Sequence, residues 1–374
     1  MRTKWLLIGV ALLMTVLAIG AIACSDDDDD NGNGDTPNGA QNGDNGDNGD
    51  ADDSILDTVL ARGELICGIN NSVPGFGFVD EDGVISGFDT DFCRAIAAAV
   101  FGDTEAVEFS PQSAETRLPA VQTGQVDVLI RNTTWTLSRD VATGLTFATT
   151  TYYDGQGLMV RADAGFTSID DLADATICVL TGTTTELNLA DRLPGSTALG
   201  FDDNDTLQTA FIEDRCDGWT SDKSQLAGRL SQFPEEAGGP DSLVILEETF
   251  SKEPLGPVTI DNDATWSHVV DFVAIGMIVA DELGVTSANV ADMAANPPNV
   301  RVARLLGVAF GEEGAAAFDA ELGINPQFMQ DVISLVGNYD EVYEANVAAI
   351  GIPRAGTLNA SWVDGGLIYA PPWK

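Results

Sequence analysis

The sequence predicts an α/β protein of two domains, and three observations carry that prediction. Short apolar runs of strand length alternate with amphipathic helical patterns along most of the chain, the pattern of βαβ units with parallel strands. A chain of 374 residues is long enough for two domains, and a hydrophobic share of 44% is ample for packed cores. Within Gly124–Asp140 (GQVDVLIRNTTWTLSRD) a strand pattern breaks off after Ile130 into a polar cluster of Arg131, Asn132, Thr133, Thr134, Trp135, Ser138 and Arg139. In an open α/β sheet, ligands sit beyond the carboxyl ends of strands, which is where this cluster falls. Hydroxyls, an amide, an aromatic ring and two guanidinium groups suit a small polar ligand bearing a carboxylate, because Arg grips a carboxylate through two parallel hydrogen bonds. A solvated strand-to-helix turn with a capping Thr is the competing reading.

Taken in order, Ser54–Leu60 reads as a short helix and Glu64–Ile69 as the first strand. The Pro- and Gly-rich stretch Asn70–Phe78 then reads as a loop of the kind that lines sites. Val84–Gly87 reads as a turn, Phe88–Val100 as an amphipathic helix, Val107–Pro111 as a strand, Glu115–Thr123 as a helix and Gln125–Ile130 as a strand. Thr176–Leu180 is a further strand. Thr183 with Glu186 fits a capping box opening a helix, whose free N–H groups and positive dipole suit a carboxylate; an ordinary cap is the alternative. Asp205–Asp214 reads as a helix, Arg215–Ser221 as a strand with Asp222 at its end, and Leu243–Leu246 as a strand. Trp266–Glu282 is a long apolar helical pattern whose Val, Ile and Met read as core, followed by helical Asn299–Gly307, Phe328–Leu335 and Asn338–Ile350. No internal repeat is present.

The charge balance excludes whole classes of partner. Net charge is −42, and phosphate binding needs a basic face, so nucleic acid is excluded. Setting aside the eleven aspartates of residues 25–53 and the cations Arg2 and Lys4 leaves −33 on residues 54–374, so the acidity is not confined to a tail. Such a surface fits either a salty habitat or a soluble face turned away from anionic lipid. No metal site is expected, because there is one His and the cysteines are spaced wrongly for paired ligands.

The N-terminus reads as a secretion leader, with Arg2 and Lys4 before the apolar stretch Trp5–Ile22. The following Ala21-Ile22-Ala23-Cys24 resembles a lipobox, in which Cys24 receives lipid and becomes the first residue, attaching the protein to the membrane without a span. An uncleaved anchor is the competing reading, since the apolar run is about long enough to span. Ser25–Asp53 is mostly Asp, Asn and Gly, and is expected as a disordered tether. Cys67, Cys93, Cys178 and Cys216 remain once Cys24 is set aside; an even number in an exported chain implies bridges, and three pairings are open.

Four separated stretches, RNTTWTLSRD (Arg131–Asp140), TYYDGQGLMV (Thr151–Val160), GTTTELNLAD (Gly182–Asp191) and SKEPLGPV (Ser251–Val258), resemble the polar amino-acid-binding proteins of ABC importers, most closely the general L-amino-acid-binding periplasmic branch. The resemblance runs from about Leu60 to the C-terminal APPWK. It implies a periplasmic-binding-protein-like two-lobe fold, each lobe a mostly parallel sheet flanked by helices, joined by a two-strand hinge. On that reading, residues 1–23 are the leader, 24–53 the lipidated Cys and tether, 54–155 and 256–374 a discontinuous first lobe, and 156–255 an inserted second lobe. Thr149–Val160 and Ser251–Thr259 are then the crossings, with Gly155 and Gly157 giving the first its freedom to bend. The resemblance also supports the pairings Cys67–Cys93 and Cys178–Cys216, each inside one lobe, worth roughly 3.5–4 kcal/mol apiece in loop-closure entropy.

The same resemblance assigns residues. Arg139 would hold the α-carboxylate of an amino acid, helped by Thr134 and backbone N–H groups, while Thr183 and Thr184 complete the carboxylate cage. Asp222 would pair with the α-ammonium, and Asn132 would accept from it or touch the side chain. Arg131, where many relatives carry a small polar residue, would meet an acidic or amide side chain, or else join a structural ion pair. Asn70 stands where many relatives are acidic and Val73 where many are aromatic, so Trp135 or Tyr153 would supply the missing wall, or simply pack. The implied activity is binding free L-amino acids outside the cytoplasm and delivering them to an ABC permease, as a membrane-anchored monomer without metal or cofactor. An enzyme on the same scaffold, like the cyclohexadienyl dehydratases, and a ligand-sensing receptor subunit are the alternatives. The single histidine, His268, lies in a helical pattern far along the chain, and no Ser/His/Asp or Cys/His arrangement is present.

Overall fold

The computed structural model describes residues 54–311 and 316–374. The leader at 1–23, the lipidated Cys24 and the tether at 24–53 lie outside the described residues. Helix α1 (Ile55–Arg62) starts where the Ser54 hydroxyl accepts the Leu56 N–H at 3.2 Å, and it ends on Gly63 in the left-handed region at φ 84°. Strand β1 (Leu65–Ile69) opens the first sheet. The stretch expected as a loop and a turn instead forms a small antiparallel sheet of β2 (Ser72–Val73), β3 (Gly77–Val79) and β4 (Ile85–Ser86). These strands of two or three residues are too short to show an alternation in sequence. Then come α2 (Phe88–Phe101), β5 (Val107–Pro111), α3 (Arg117–Gln122), β6 (Val128–Leu129), α4 (Leu137–Val141) and β7 (Leu145–Phe147). Strand β6 is shorter than the sequence suggests. Asp127 sits just before it, its carboxylate accepting the Ile66 N–H at 2.7 Å and pairing with Arg62.

The chain crosses through β8 (Tyr152–Asp154) into β9 (Gln156–Arg161). It continues as β10 (Thr176–Leu180), α5 (Thr184–Arg192), β11 (Thr197–Phe201), α6 (Asn204–Ile212), β12 (Gly218–Asp222), α7 (Lys223–Ser231) and β13 (Leu243–Ile245). It returns through β14 (Glu253–Leu255) to β15 (Val258–Ile260). The two sheets have matching plans, ordered β5-β1-β6-β15-β7 and β11-β10-β12-β9-β13. In each, three strands pair in parallel, a reversed strand follows, and the fifth pairs antiparallel to it. The reversed strands, β15 and β9, are the ones joined to the crossings. Strands β8 and β14 pair antiparallel as a two-strand hinge, with Asp154 opposite Glu253 and Tyr152 opposite Leu255. The result is two mixed α/β lobes.

Helix α8 (Ala264–Leu283) runs through the first lobe's core, with Val269, Val270, Val273 and Met277 fully buried. It is long and apolar enough to cross a membrane, but most of it is buried in this core. Its Gly276 admits α11 closely, since a Cβ there would collide with the Met329 sulfur. After α9 (Val290–Ala295) and α10 (Val300–Leu305), helices α11 (Phe328–Leu335) and α12 (Tyr339–Asn346) pack on α2 and α8. An aromatic nest joins α2 to α12: Phe88 meets Phe92 at 5.0 Å, Tyr339 at 5.8 Å and Tyr343 at 6.1 Å between ring centroids, all edge-on. The second core centres on Trp219 and Phe211, 6.1 Å apart. Disulfides Cys67–Cys93 and Cys178–Cys216, as expected, tie β1 to α2 and β10 to the approach to β12, with Cα separations of 6.1 and 5.7 Å.

Candidate ligand-binding site between the lobes

The carboxyl ends of β6, β10 and β12 converge on a small, partly open cavity of about 20 Å³ between the lobes, room for about one water. The lobes are closed over it. Asn132 Nδ2 donates across the gap to Asp222 Oδ2 at 3.4 Å and to Gln225 Oε1 at 3.3 Å, and Asn204 Nδ2 donates to Ser72 Oγ at 3.0 Å. Helix α7 approaches the Pro74 carbonyl so closely that only glycine fits at Gly228.

Three arginines gather here, all buried: Arg117 and Arg131 around the cavity, Arg139 behind Thr134. Among the described residues none of the three has a carboxylate within ion-pair distance. Arg131 Nε donates to the Gln112 carbonyl at 2.7 Å. Arg117 Nη1 donates to the carbonyls of Arg131 and Asn132, each at 3.3 Å, while its Nε is buried with no acceptor. Arg139 Nη1 donates to the Thr134 carbonyl at 3.0 Å, leaving its outer nitrogens for another acceptor. Burial pushes the Arg117 guanidinium well below its ordinary value, with the fields of Arg131 and Arg139 adding to the effect. Burial lowers Arg131 to about 10, and it lowers Arg139 also.

The acidic side chains are as deeply placed. Asp222, at the end of β12, has one carboxylate oxygen on Asn132 and its Oδ1 buried without a donor. Burial, then the neighbouring Asp154 and Glu253, push its carboxyl well above the usual range. Asp89 accepts the Asn132 N–H at 2.7 Å and is raised by burial to about 7. That bond holds Asn132 at φ 30°, a conformation Asn tolerates better than most residues and one found at functional sites.

Residues 65–332 match the family of bacterial extracellular solute-binding proteins, family 3. The chain belongs to this family. A glutamate/glutamine/aspartate/asparagine-binding protein of Rhodobacter capsulatus is 44% identical over 328 residues, covering 86% of this chain and 94% of that one. A general L-amino acid-binding periplasmic protein of Rhizobium johnstonii is 43% identical over 324 residues, covering 85% and 92%. Among solved structures, an ABC transporter/periplasmic binding protein from Brucella ovis with glutathione bound is 40% identical, with a TM-score of 0.80, covering 86% of this chain and all of that one.

In this solute-binding protein, Arg131, Asn132, Thr134, Thr183, Thr184 and Asp222 meet around the cavity, drawn from both sheets. Asn70 stands one bond behind: its Nδ2 donates to Asn132 Oδ1 at 3.1 Å while its own Oδ1 accepts from Ser72. Trp135 is not brought to the cavity. It is half-exposed, stacks on Phe147 at 6.2 Å and donates from Nε1 to Asp140 at 3.1 Å. Tyr153 lies on the hinge strand, its backbone bonded to Asn359, also outside the cavity. The capping box is only half formed. Thr183 Oγ1 accepts the Glu186 N–H at 3.1 Å, but the Glu186 carboxylate reaches back to the Gly182 N–H, one residue earlier than a reciprocal box requires. His268 is exposed on α8, away from the cavity.

Sequence reasoning missed Arg117, Gln225, Asp89 and Glu253. Arg117 opens an ordinary-looking helix, and nothing in its immediate neighbours marks it as buried. Glu253 lies inside the SKEPLGPV stretch and bridges the lobes from the hinge. Its Oε2 accepts from Thr134 Oγ1 at 2.6 Å and Thr184 Oγ1 at 2.8 Å; its Oε1 accepts from Asn188 Nδ2 at 2.9 Å and Ser251 Oγ at 2.5 Å. A hydroxyl has one proton to donate, and in this arrangement Thr134 and Thr184 each give theirs to Glu253.

Proposed function

We propose that this solute-binding protein holds a free L-amino acid with a polar, acidic or amide side chain between its lobes and delivers it to an ABC importer, with no chemistry of its own. The observation that carries the reading is a set of buried guanidinium and carboxyl groups without partners where the lobes meet, around and just behind a cavity that widens to admit an amino acid when the lobes part. Guanidinium groups without carboxylate partners stand across from an Asp222 oxygen without a donor, and all of them are buried. Uncompensated buried charge costs several kcal/mol, and a zwitterion supplies both missing partners at once. Arg139 takes the α-carboxylate, Asp222 the α-ammonium, and Asn132 orients between them. The names of the relatives from Rhodobacter and Rhizobium support the ligand class.

The first lobe comprises residues 54–155 and 256–374 and the second 156–255. The protein is a monomer outside the cytoplasmic membrane, held by lipid on Cys24 through the acidic tether, and a permease reads its closed form. Titration calorimetry on the purified chain, stripped of ligand by unfolding and refolding, tests the site. Asp222→Asn and Arg139→Ala are each expected to weaken polar amino acids by about a hundredfold, the scale for removing one partner of a buried charge contact. Unchanged affinity in both variants rules the assignment out. Labelled palmitate fed to cells tests the anchor, with incorporation expected in the wild type and none in Cys24→Ser.

A further inference from the structure

Once the α-carboxylate is on Arg139 and the α-ammonium on Asp222, two buried cations remain without an assigned partner. Arg117, at the start of α3, and Arg131, just after β6, both face the same small cavity. Arg117 Nη2 and both terminal nitrogens of Arg131 make no hydrogen bond among the described residues, and Arg117 Nε is buried without an acceptor. The nearby carboxylates are otherwise engaged. Asp89 is held by the Asn132 N–H, and Glu253 by four side-chain donors. Two guanidinium groups facing one cavity repel each other, and each is drained of solvation by burial. A single carboxylate between them would relieve both problems, accepting from planar forks whose geometry suits it. A neutral amide offers one acceptor oxygen and no charge.

We infer that Arg117 and Arg131 form a second anion subsite, separate from Arg139, which takes a distal carboxylate of the ligand and makes the protein prefer molecules carrying two carboxylates. Arg117 is the specificity-determining member. Both guanidinium groups lie in the field of Asp222; Arg131 is also anchored through Nε to a carbonyl and shares the field of Asp89, whereas Arg117 holds only carbonyls and a hydroxyl through Nη1, leaving Nε and Nη2 without an acceptor. The inference rests on the amino-acid-binding reading and narrows it.

L-glutamate and L-glutamine separate the two, because they share every α-group and differ only in the distal charge. Calorimetry on the purified chain is expected to give wild-type binding of glutamate about tenfold or more tighter than glutamine. In Arg117→Gln that preference is expected to vanish, glutamate losing at least about tenfold more affinity than glutamine, with an unchanged far-UV circular dichroism spectrum reporting an intact fold. Arg117→Lys, which keeps the charge but not the fork, is expected to retain part of the preference. The subsite is overturned if Arg117→Gln weakens both ligands equally, if it weakens neither, or if the wild type binds both alike. Failure of the wild type to bind either ligand, or any other amino acid, overturns the underlying reading and the subsite with it.

Discussion

At the scale of single residues, the site is built from groups held in states water would not favour. Asn132 sits at positive φ, pinned by Asp89. Asp89 is raised to about 7 by burial, against an ordinary value of 3.8. Between those values the folded chain holds a proton that the unfolded chain has lost. The stability Asp89 contributes is therefore complete below about pH 3.8 and is lost as pH climbs through 7, a term on the order of 4 kcal/mol. Asp154 on the hinge, raised by burial to about 6, acts in the same direction. Asp89→Asn is accordingly expected to flatten the fall in unfolding temperature between about pH 4 and pH 7. A melting profile parallel to that of the wild type contradicts this. Little of this was visible in sequence. Arg131, Asn132 and Thr134 announce themselves as a polar cluster after a strand, but Asp89 and Arg117 sit in helices where a charged residue ordinarily faces solvent. Only the tertiary fold turns them inward.

At the scale of elements, the disulfides and the hinge carboxylate make the strongest claims. Cys67–Cys93 and Cys178–Cys216 close loops of 26 and 38 residues, so breaking each is expected to lower stability by roughly 2–5 kcal/mol. Cys178→Ser paired with Cys216→Ser, measured by urea unfolding, checks the second. Glu253 joins one hydroxyl from each lobe to the hinge strand. Glu253→Ala leaves four donors without their acceptor and is expected to open the ligand-free lobes, seen as a larger radius of gyration by X-ray scattering. An unchanged radius of gyration removes its role as a latch. Elements with strong apolar periodicity were legible: β1, α2, β10 and α8 all stand within a few residues of where the pattern puts them. Those missed lack that signal. Strand β11 is an edge strand with mostly exposed residues, and α7 is a polar helix that begins directly on Asp222 at the end of β12.

At the scale of the whole molecule, the two lobes share one sheet plan and bring residues of both sheets to one cavity, with the three guanidinium groups on the first lobe and Asp222 on the second. The ligand stabilises the closed form only through contacts made there. The alternation of strands and helices already predicted parallel units, and the likeness to amino-acid-binding proteins supplied the hinge; the reversed strands β9 and β15, which join each sheet to the crossings, were not foreseen because strand direction leaves no mark on periodicity. The most direct test is thermal unfolding of the ligand-stripped chain against each of the twenty L-amino acids. A polar amino acid present at a hundred times its dissociation constant is expected to add about 2.7 kcal/mol of stability. No shift with any of the twenty contradicts the account.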